Sequence, residues 1–249
     1  MPDSVSVVAV ANEFPSHDYL VVGFNAFNKS LSRFGHSPMV LGWAERWRGL
    51  GSKPKYLKSA IEGGRIKTSH IIFSDAYDVW FGASPDEILE ASSVFLPNKI
   101  VWNAEKNCFP DASLASHFKK TWSPFRYLNS GLSIGPTESY LECLREMDVD
   151  SWPDDHQNPD GSWFHKNDQD DWMRRFLFGQ CPGQVPMCLD SECILFQTLC
   201  DVSETDFEFE WKSSKIKNRI TGSFPMAFHA NGGSKTSGVM EKILITLGL

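Results

Sequence analysis

Two carboxylates three positions apart, Asp75 and Asp78, follow directly on the apolar run His70-Ile71-Ile72-Phe73-Ser74. An unbroken apolar run of this length reads as a buried strand, and the carboxyl ends of strands are where open α/β sheets bind ligands. Two hard oxygen donors at such a place suit a divalent cation carrying a phosphorylated ligand, although a solvated turn with two surface acids fits the same four residues. Farther along, His229 closes the strand-like stretch Pro225 to His229 and is followed by Ala230-Asn231-Gly232-Gly233-Ser234-Lys235. The glycine pair would let backbone approach a diphosphate closely and Lys235 would add a mobile point charge; a plain Gly-Gly turn with a surface lysine is the competing reading. Asp168 opens a helical stretch with Asn167 just before it, a placement that also suits a helix cap with no chemistry.

The elements that must position these groups alternate between strand-like and helix-like, the pattern of an α/β sheet. Strands are expected at Val5 to Ala11, Pro38 to Gly42, His70 to Ser74, Ile100 to Ala104, Tyr127 to Ile134 and Pro225 to His229. Leu20, Phe24, Phe27, Leu31 and Phe34 fall at helical spacing and stop at Gly35; further helices are expected at Lys55 to Glu62, Pro85 to Phe95, Glu138 to Met147, Asp168 to Phe178 and Val239 to Leu247. No Pro/Gly/Ser linker divides the chain, so residues 1–249 read as a single domain, with 150–166 as an irregular insertion.

Composition narrows the function. The chain has 249 residues, 41% hydrophobic and 22% charged, and a net charge of −7, which gives no general attraction to nucleic acid or anionic lipid. No apolar stretch approaches the roughly 20 residues of a membrane-spanning helix, and the start lacks the basic region and cleavage site of a signal peptide, so a cytoplasmic protein without a membrane partner is expected. The six cysteines form no CxxC pair and no zinc pattern, and reduced thiols are expected; the four from Cys181 to Cys200 could pair in an oxidising compartment. After Val10-Ala11 there is neither GxGxxG nor GxxxxGK[ST], which sets aside classical dehydrogenases and P-loop NTPases. A phosphate-bearing ligand then needs a metal or basic side chains, which returns to Asp75 and Asp78.

A colinear series of motifs carries a resemblance. It comprises Trp47-Arg48-Gly49, Gly51-Ser52-Lys53-Pro54-Lys55-Tyr56-Leu57-Lys58, Phe73 to Val79, Asn103-Ala104-Glu105 with Cys108 and Pro110, Tyr127-Leu128-Asn129-Ser130-Gly131, Asp168-Gln169, Leu189-Asp190 with Phe196-Gln197, and His229 to Lys235. From about Val5 to Lys235 the chain resembles the glycosyltransferase domain of the procollagen lysyl hydroxylase and glycosyltransferase family. The resemblance implies a GT-A fold, a Rossmann-like mixed central sheet flanked by helices. It implies a UDP-sugar donor such as UDP-glucose, and Mn²⁺ held by Asp75, Asp78 and His229. It further implies that Lys235 contacts the diphosphate, that Trp47 and Tyr77 flank the nucleotide, and that Lys53 contacts base or ribose. On the sugar side it places Asn129, Ser130 and Gly131, where a small residue lets the donor approach, with Asn231 and Gly232 beside the diphosphate. A strand bulging at glycine is an equal local reading of Asn129-Ser130-Gly131. Asp168 is the expected catalytic-side carboxylate, with Asn167 in support. The family's acidic run is longer here, and Asn167 stands where it has an acid. Glu105 and Asp190 are matched and read as structural or acceptor-side.

The expected activity is Mn²⁺-dependent transfer of a hexose from a UDP-sugar to a hydroxyl on an acceptor polymer, hydroxylysine on a collagen-like protein by resemblance. The cytoplasmic reading suits a viral, phage or bacterial source, where hydroxymethylated DNA bases are an alternative acceptor. That would draw on Lys212, Lys215, Lys217 and Arg219, or on Lys119 and Lys120, as a local basic surface. An inactive nucleotide-sugar-binding module is the remaining alternative.

Overall fold

The structure is a computed structural model that describes residues 4–11, 18–95, 98–179 and 184–249, the side chains of 18–22, 235 and 236 excepted. The chain runs through β1 (Val5–Val10), α1 (Asp18–Ser32), β2 (Met39–Leu41), α2 (Ser52–Glu62), β3 (His70–Asp75), β4 (Val79–Phe81), α3 (Pro85–Ala91), β5 (Ile100–Glu105), β6 (Tyr127–Pro136) and α4 (Thr137–Glu146). It continues through β7 (His156–Gln157), β8 (Trp163–Phe164), α5 (Asp168–Phe178), β9 (Met187–Asp190), β10 (Phe196–Thr198), β11 (Phe207–Glu210), β12 (Lys215–Asn218), β13 (Ala227–His229) and α6 (Gly238–Leu247). All six expected helices form; α3 is set by a reciprocal cap between Ser84 and Glu87 with Pro85 in its first turn, and it ends at Ala91 rather than Phe95.

A six-stranded mixed sheet has the order β2-β1-β3-β6-β5-β9, with β6 antiparallel to both its neighbours and the other pairs parallel. A second sheet, β10-β13-β4, lies beside it, with β10 parallel and β4 antiparallel to β13. This is the mixed α/β architecture expected from the sequence.

Strands β1 and β3 are apolar on both faces because both faces are covered. Val8, Val10, Ile71 and Phe73 join Leu57 of α2, Leu144 of α4 and Trp172 of α5 in one core. Val7, Ala9 and Ile72 join Phe27 of α1, Ile88 of α3 and Val79 and Phe81 of β4 in another. A one-residue slip would exchange the two sets. With each large buried side chain contributing about 1.5–3 kcal/mol, the slipped register is excluded, and Asp75 is held at the strand's carboxyl end. The second sheet is covered on its far side by α6, where Trp80 and Phe228 meet Val239, Ile243 and Leu247.

The segment 150–166, expected to be irregular, contains the hairpin β7–β8. The hairpin β11–β12 was not expected either, and its register sets Lys215 opposite Glu210 and Lys217 opposite Glu208. The five described cysteines, Cys108, Cys143, Cys188, Cys193 and Cys200, are free thiols; Cys181 lies outside the described residues. Among the described residues no helix is long and apolar enough to cross a membrane.

Candidate active site

The chain leaves the large sheet at Asp75 and enters the second sheet at Val79, so the two carboxylates flank the crossover, with Ala76 buried between them. His229 is brought to the same place by β13, which pairs His229 directly with Val79, while Ala230 N donates to Asp78 O at 2.8 Å. Nε2 of His229 lies 3.7 Å from Asp75 Oδ2 and 3.6 Å from Asp78 Oδ2. One ligand atom from each of the three residues falls within 4.8 Å of the others. Asp78 and His229 are buried, whereas the Asp75 side chain keeps 30% of its surface open, so the cluster faces solvent on one side.

The histidine's tautomer follows from its other nitrogen. Nδ1 lies 2.9 Å from Asn129 Oδ1, an acceptor that also takes the Gly131 N–H at 3.0 Å, while Asn129 Nδ2 donates to Glu105 Oε1 at 3.2 Å. Nδ1 therefore carries the proton, and the Nε2 lone pair points between the two carboxylates. A neutral imidazole and two carboxylates, with room on one side for further oxygen ligands, are a donor set that could hold a divalent metal ion.

Gly131 makes room for that ring. The β5–β6 register shifts between Trp102 and Asn103, so β6 bulges through Ser130 and Gly131, as one reading of the glycine allowed. A Cβ at Gly131 would lie 2.1 Å from His229 Cε1. The space left by the missing side chain is thus filled by imidazole. The same bulge frees Ser130 N to donate to Gln169 Oε1 at 3.0 Å.

Asp168 and Asn167 sit at the start of α5. Asn167 is its cap, with Oδ1 accepting from Gln169 N at 3.0 Å. Asp168 is 1% exposed, and Lys53 Nζ lies 3.3 Å from its Oδ2 and 3.0 Å from Asp75 Oδ1. Burial alone would depress the Lys53 pKa; the carboxylates of Asp168 and Asp75 outweigh it and hold the ammonium above its ordinary value. Burial pushes Asp168 up, partly offset by Lys53 and reinforced by Asp75. Lys53, expected at the base or ribose, has its ammonium committed between these two acids.

Glu105, read from the sequence as structural or acceptor-side, is a hub. It is 3% exposed; Oε1 accepts from Asn129 and from Gln169 Nε2 at 2.9 Å, and Oε2 accepts from Asn231 Nδ2 at 2.8 Å. Burial raises its pKa, and the bonds from Asn129, Gln169 and Asn231 oppose that rise. Through these amides one carboxylate ties the cation cluster to the first turn of α5 and to the turn at 232–236, where Gly232 has φ +59°. Asn231 Oδ1 is itself engaged by the N–H groups of Leu199 and Cys200. The Lys235 side chain lies outside the described residues. Asp190 closes the loop from β9 to β10, accepting from the N–H groups of Ile194, Leu195 and Phe196, and burial pushes its pKa up to about 6.

Of the expected nucleotide aromatics, Trp47 is 39% exposed in the loop before α2, and Tyr77 is half-buried against Phe24 at 5.9 Å. Trp43, absent from the sequence-based set, stacks on the same Phe24 at 5.8 Å. The Trp47 loop is clasped by the 150–166 segment: Asp155 N donates to Arg48 O at 2.9 Å, Asp154 pairs with Arg48 at 3.0 Å, and Asp155 Oδ1 accepts from Lys166 N. Gly49 permits this approach, since a Cβ there would lie 2.1 Å from Asp155 Oδ1.

Comparison with known proteins adds a family. The family model described as the PLOD GT domain matches residues 2–241. Mouse procollagen-lysine,2-oxoglutarate 5-dioxygenase 2 is 30% identical over 223 residues, which are 86% of this chain and 28% of that protein. The human multifunctional procollagen lysine hydroxylase and glycosyltransferase LH3 is 27% identical over 247 residues, 94% of this chain and 30% of its own length. The chain thus spans less than a third of these relatives. Among solved structures, the apo bifunctional glycosyltransferase WbbM is 12% identical with a TM-score of 0.51, over 99% of this chain and 50% of that one, a likeness of fold.

Proposed function

The chain belongs to the PLOD GT-domain family of glycosyltransferases, and from that premise we propose that it transfers a hexose from a UDP-sugar to a hydroxyl on an acceptor polymer, with Mn²⁺ in the donor site. The observation that carries the reading is the triad of Asp75, Asp78 and His229, with Nε2 aimed between two carboxylates and one side open. When bound, the cation supplies charge stabilisation to a departing diphosphate. The chain's own groups do the rest. Asn231 and the Gly232 turn offer close backbone approach to that diphosphate, and Lys235 a counter-charge. Trp47 and Tyr77 are the candidate platforms for the nucleotide, and Asn129 holds the histidine in its ligating tautomer.

Asp168 is the candidate carboxylate on the sugar side, where a fixed negative charge would stabilise an oxocarbenium-like centre. The amide at Asn167 does not weaken this reading, because a helix cap is filled equally well by Asn or Asp. For the acceptor, the names of the relatives favour hydroxylysine on a collagen-like chain. Of the two basic surfaces a DNA acceptor could use, the one on β11–β12 is partly neutralised, since the register puts Glu208 and Glu210 opposite Lys217 and Lys215.

The test is calorimetric titration of UDP with and without Mn²⁺, followed by release of UDP from a panel of UDP-sugars and mass spectrometry of a hydroxylysine peptide and a hydroxymethylated oligonucleotide. Metal-dependent UDP binding that is lost in Asp75→Asn and Asp78→Asn is expected. Unchanged binding in both variants refutes the donor site, and binding without UDP release identifies a sensor rather than an enzyme.

A further inference from the structure

We propose that Lys53 is a positioning residue for the cation site: its ammonium takes Oδ1 of Asp75, so that Oδ2 alone turns toward His229 and Asp78, and the same ammonium holds Asp168 beside the cluster. The inference rests on the donor-site reading above. It begins from an oddity of placement. Lys53 is the second residue of α2, where the helix dipole disfavours a cation, and it is 7% exposed, where burial disfavours a charge. Neither local helix stability nor solvation accounts for a lysine at this position. What holds it there is the pair of carboxylates at 3.0 and 3.3 Å.

The division of Asp75 is geometric. Oδ1 faces Lys53 at 3.0 Å while Oδ2 faces His229 Nε2 at 3.7 Å, so the oxygen engaged by the ammonium is not the one turned toward the histidine, and Oδ2 is the Asp75 oxygen that would hold a cation there. Charge points the same way. Lys53 pairs with Asp75 and Asp168, and with Asp78 on the far side of the triad the three carboxylates and one ammonium leave two negative charges, the complement of one divalent ion. A buried ion pair is weak evidence for stability and better evidence for a fixed arrangement.

Lys53→Met alone would leave Asp168 buried without its counter-charge, so the informative pair is Lys53→Met/Asp168→Asn against Asp168→Asn. Each variant of the 249-residue chain is titrated with Mn²⁺ alone, and free ion is read by electron paramagnetic resonance. Removing a positive charge near a cation site would by itself tighten Mn²⁺ binding, whereas releasing Asp75 Oδ1 would weaken it, so the sign separates a charge effect from positioning. The expected result is a Kd about tenfold weaker in the double variant than in Asp168→Asn. An equal or tighter Kd overturns the proposal. Asp75→Asn, run in parallel, is expected to lose Mn²⁺ binding. If it keeps wild-type affinity, the metal site itself fails, a result distinguishable from failure of the Lys53 role alone.

Discussion

Replacing Gly131 with alanine isolates one atom's effect on the cation site. Gly131 does not occupy the left-handed backbone region, so alanine is conformationally acceptable there and acts only through its Cβ. That atom would lie 2.1 Å from His229 Cε1 and 2.7 Å from both ring nitrogens. Non-bonded carbons settle at about 3.5–4.0 Å, so the ring must retreat by about 1.5 Å. A retreat of that size takes Nδ1 away from Asn129 Oδ1, now at 2.9 Å, and draws Nε2 out of the triad. Overpacking of this kind costs about 1–3 kcal/mol, and a misdirected ligand lowers metal affinity about 10–100-fold. Mn²⁺ titration of Gly131→Ala, with long-range ¹H–¹⁵N spectra of the His229 ring, reads both consequences. Wild-type Mn²⁺ affinity together with an unshifted His229 ring would show that the glycine does not serve the histidine, and the account of the bulge would fall.

Three further substitutions probe the surrounding framework. Glu105→Gln should destabilise the fold by about 1–3 kcal/mol in urea titrations, because the new amide must face either Asn231 Nδ2 or the donors of Asn129 and Gln169. Asn231 cannot turn to accommodate it, since its oxygen already accepts from Leu199 and Cys200; wild-type stability would refute the hub. Asp190, with a folded pKa raised to about 6, binds its proton more tightly folded than unfolded, so its contribution to stability is largest below the unfolded pKa. That contribution declines as pH rises toward 6, and wild type should lose on the order of 3 kcal/mol relative to Asp190→Asn between about pH 4 and 7; a pH-independent difference would contradict it. Gly49→Ala forces a Cβ into Asp155 from a backbone at φ +101°, and should speed hydrogen exchange at Lys166 N, whose acceptor is Asp155 Oδ1. Unchanged exchange there would mean that the clasp survives the clash.

What could be read from the sequence and what could not divide along sequence distance. The strand ending at Asp75 and the helix opening at Asp168 were legible because β3 is an unbroken apolar run and α5 has periodic apolar positions behind a cap. The elements that assemble the site around them are short: β4, β10 and β13 have three residues each, too few to show a period, and of these only β13 was expected, as Pro225 to His229, with nothing to say what it pairs with. His229 could therefore be linked to Asp75 only through family resemblance, since the contact spans most of the chain. Lys53 illustrates the other limit. A lysine in the first turn of a helix looks like a surface residue or a ligand contact, and only tertiary packing puts it under the site.

The same short elements explain why the site is best understood as a seam. Asp75 ends a strand of the large sheet, while Asp78 and His229 border strands of the second one, so the triad is assembled only when the two sheets are correctly apposed. Glu105 and Asn129, on β5 and β6, belong to the large sheet, yet they reach across to Asn231 and His229 beside β13. His229, the ligand contributed by β13, is thereby cross-linked to Asn129 of the large sheet by a buried hydrogen bond, and Asn231 beside it to Glu105 by another. A cation bound at the triad would add bonds across that same seam. It should therefore stabilise the folded chain by mass action, and Asp75→Asn should abolish that gain while leaving the stability of the metal-free protein much less affected than Glu105→Gln does.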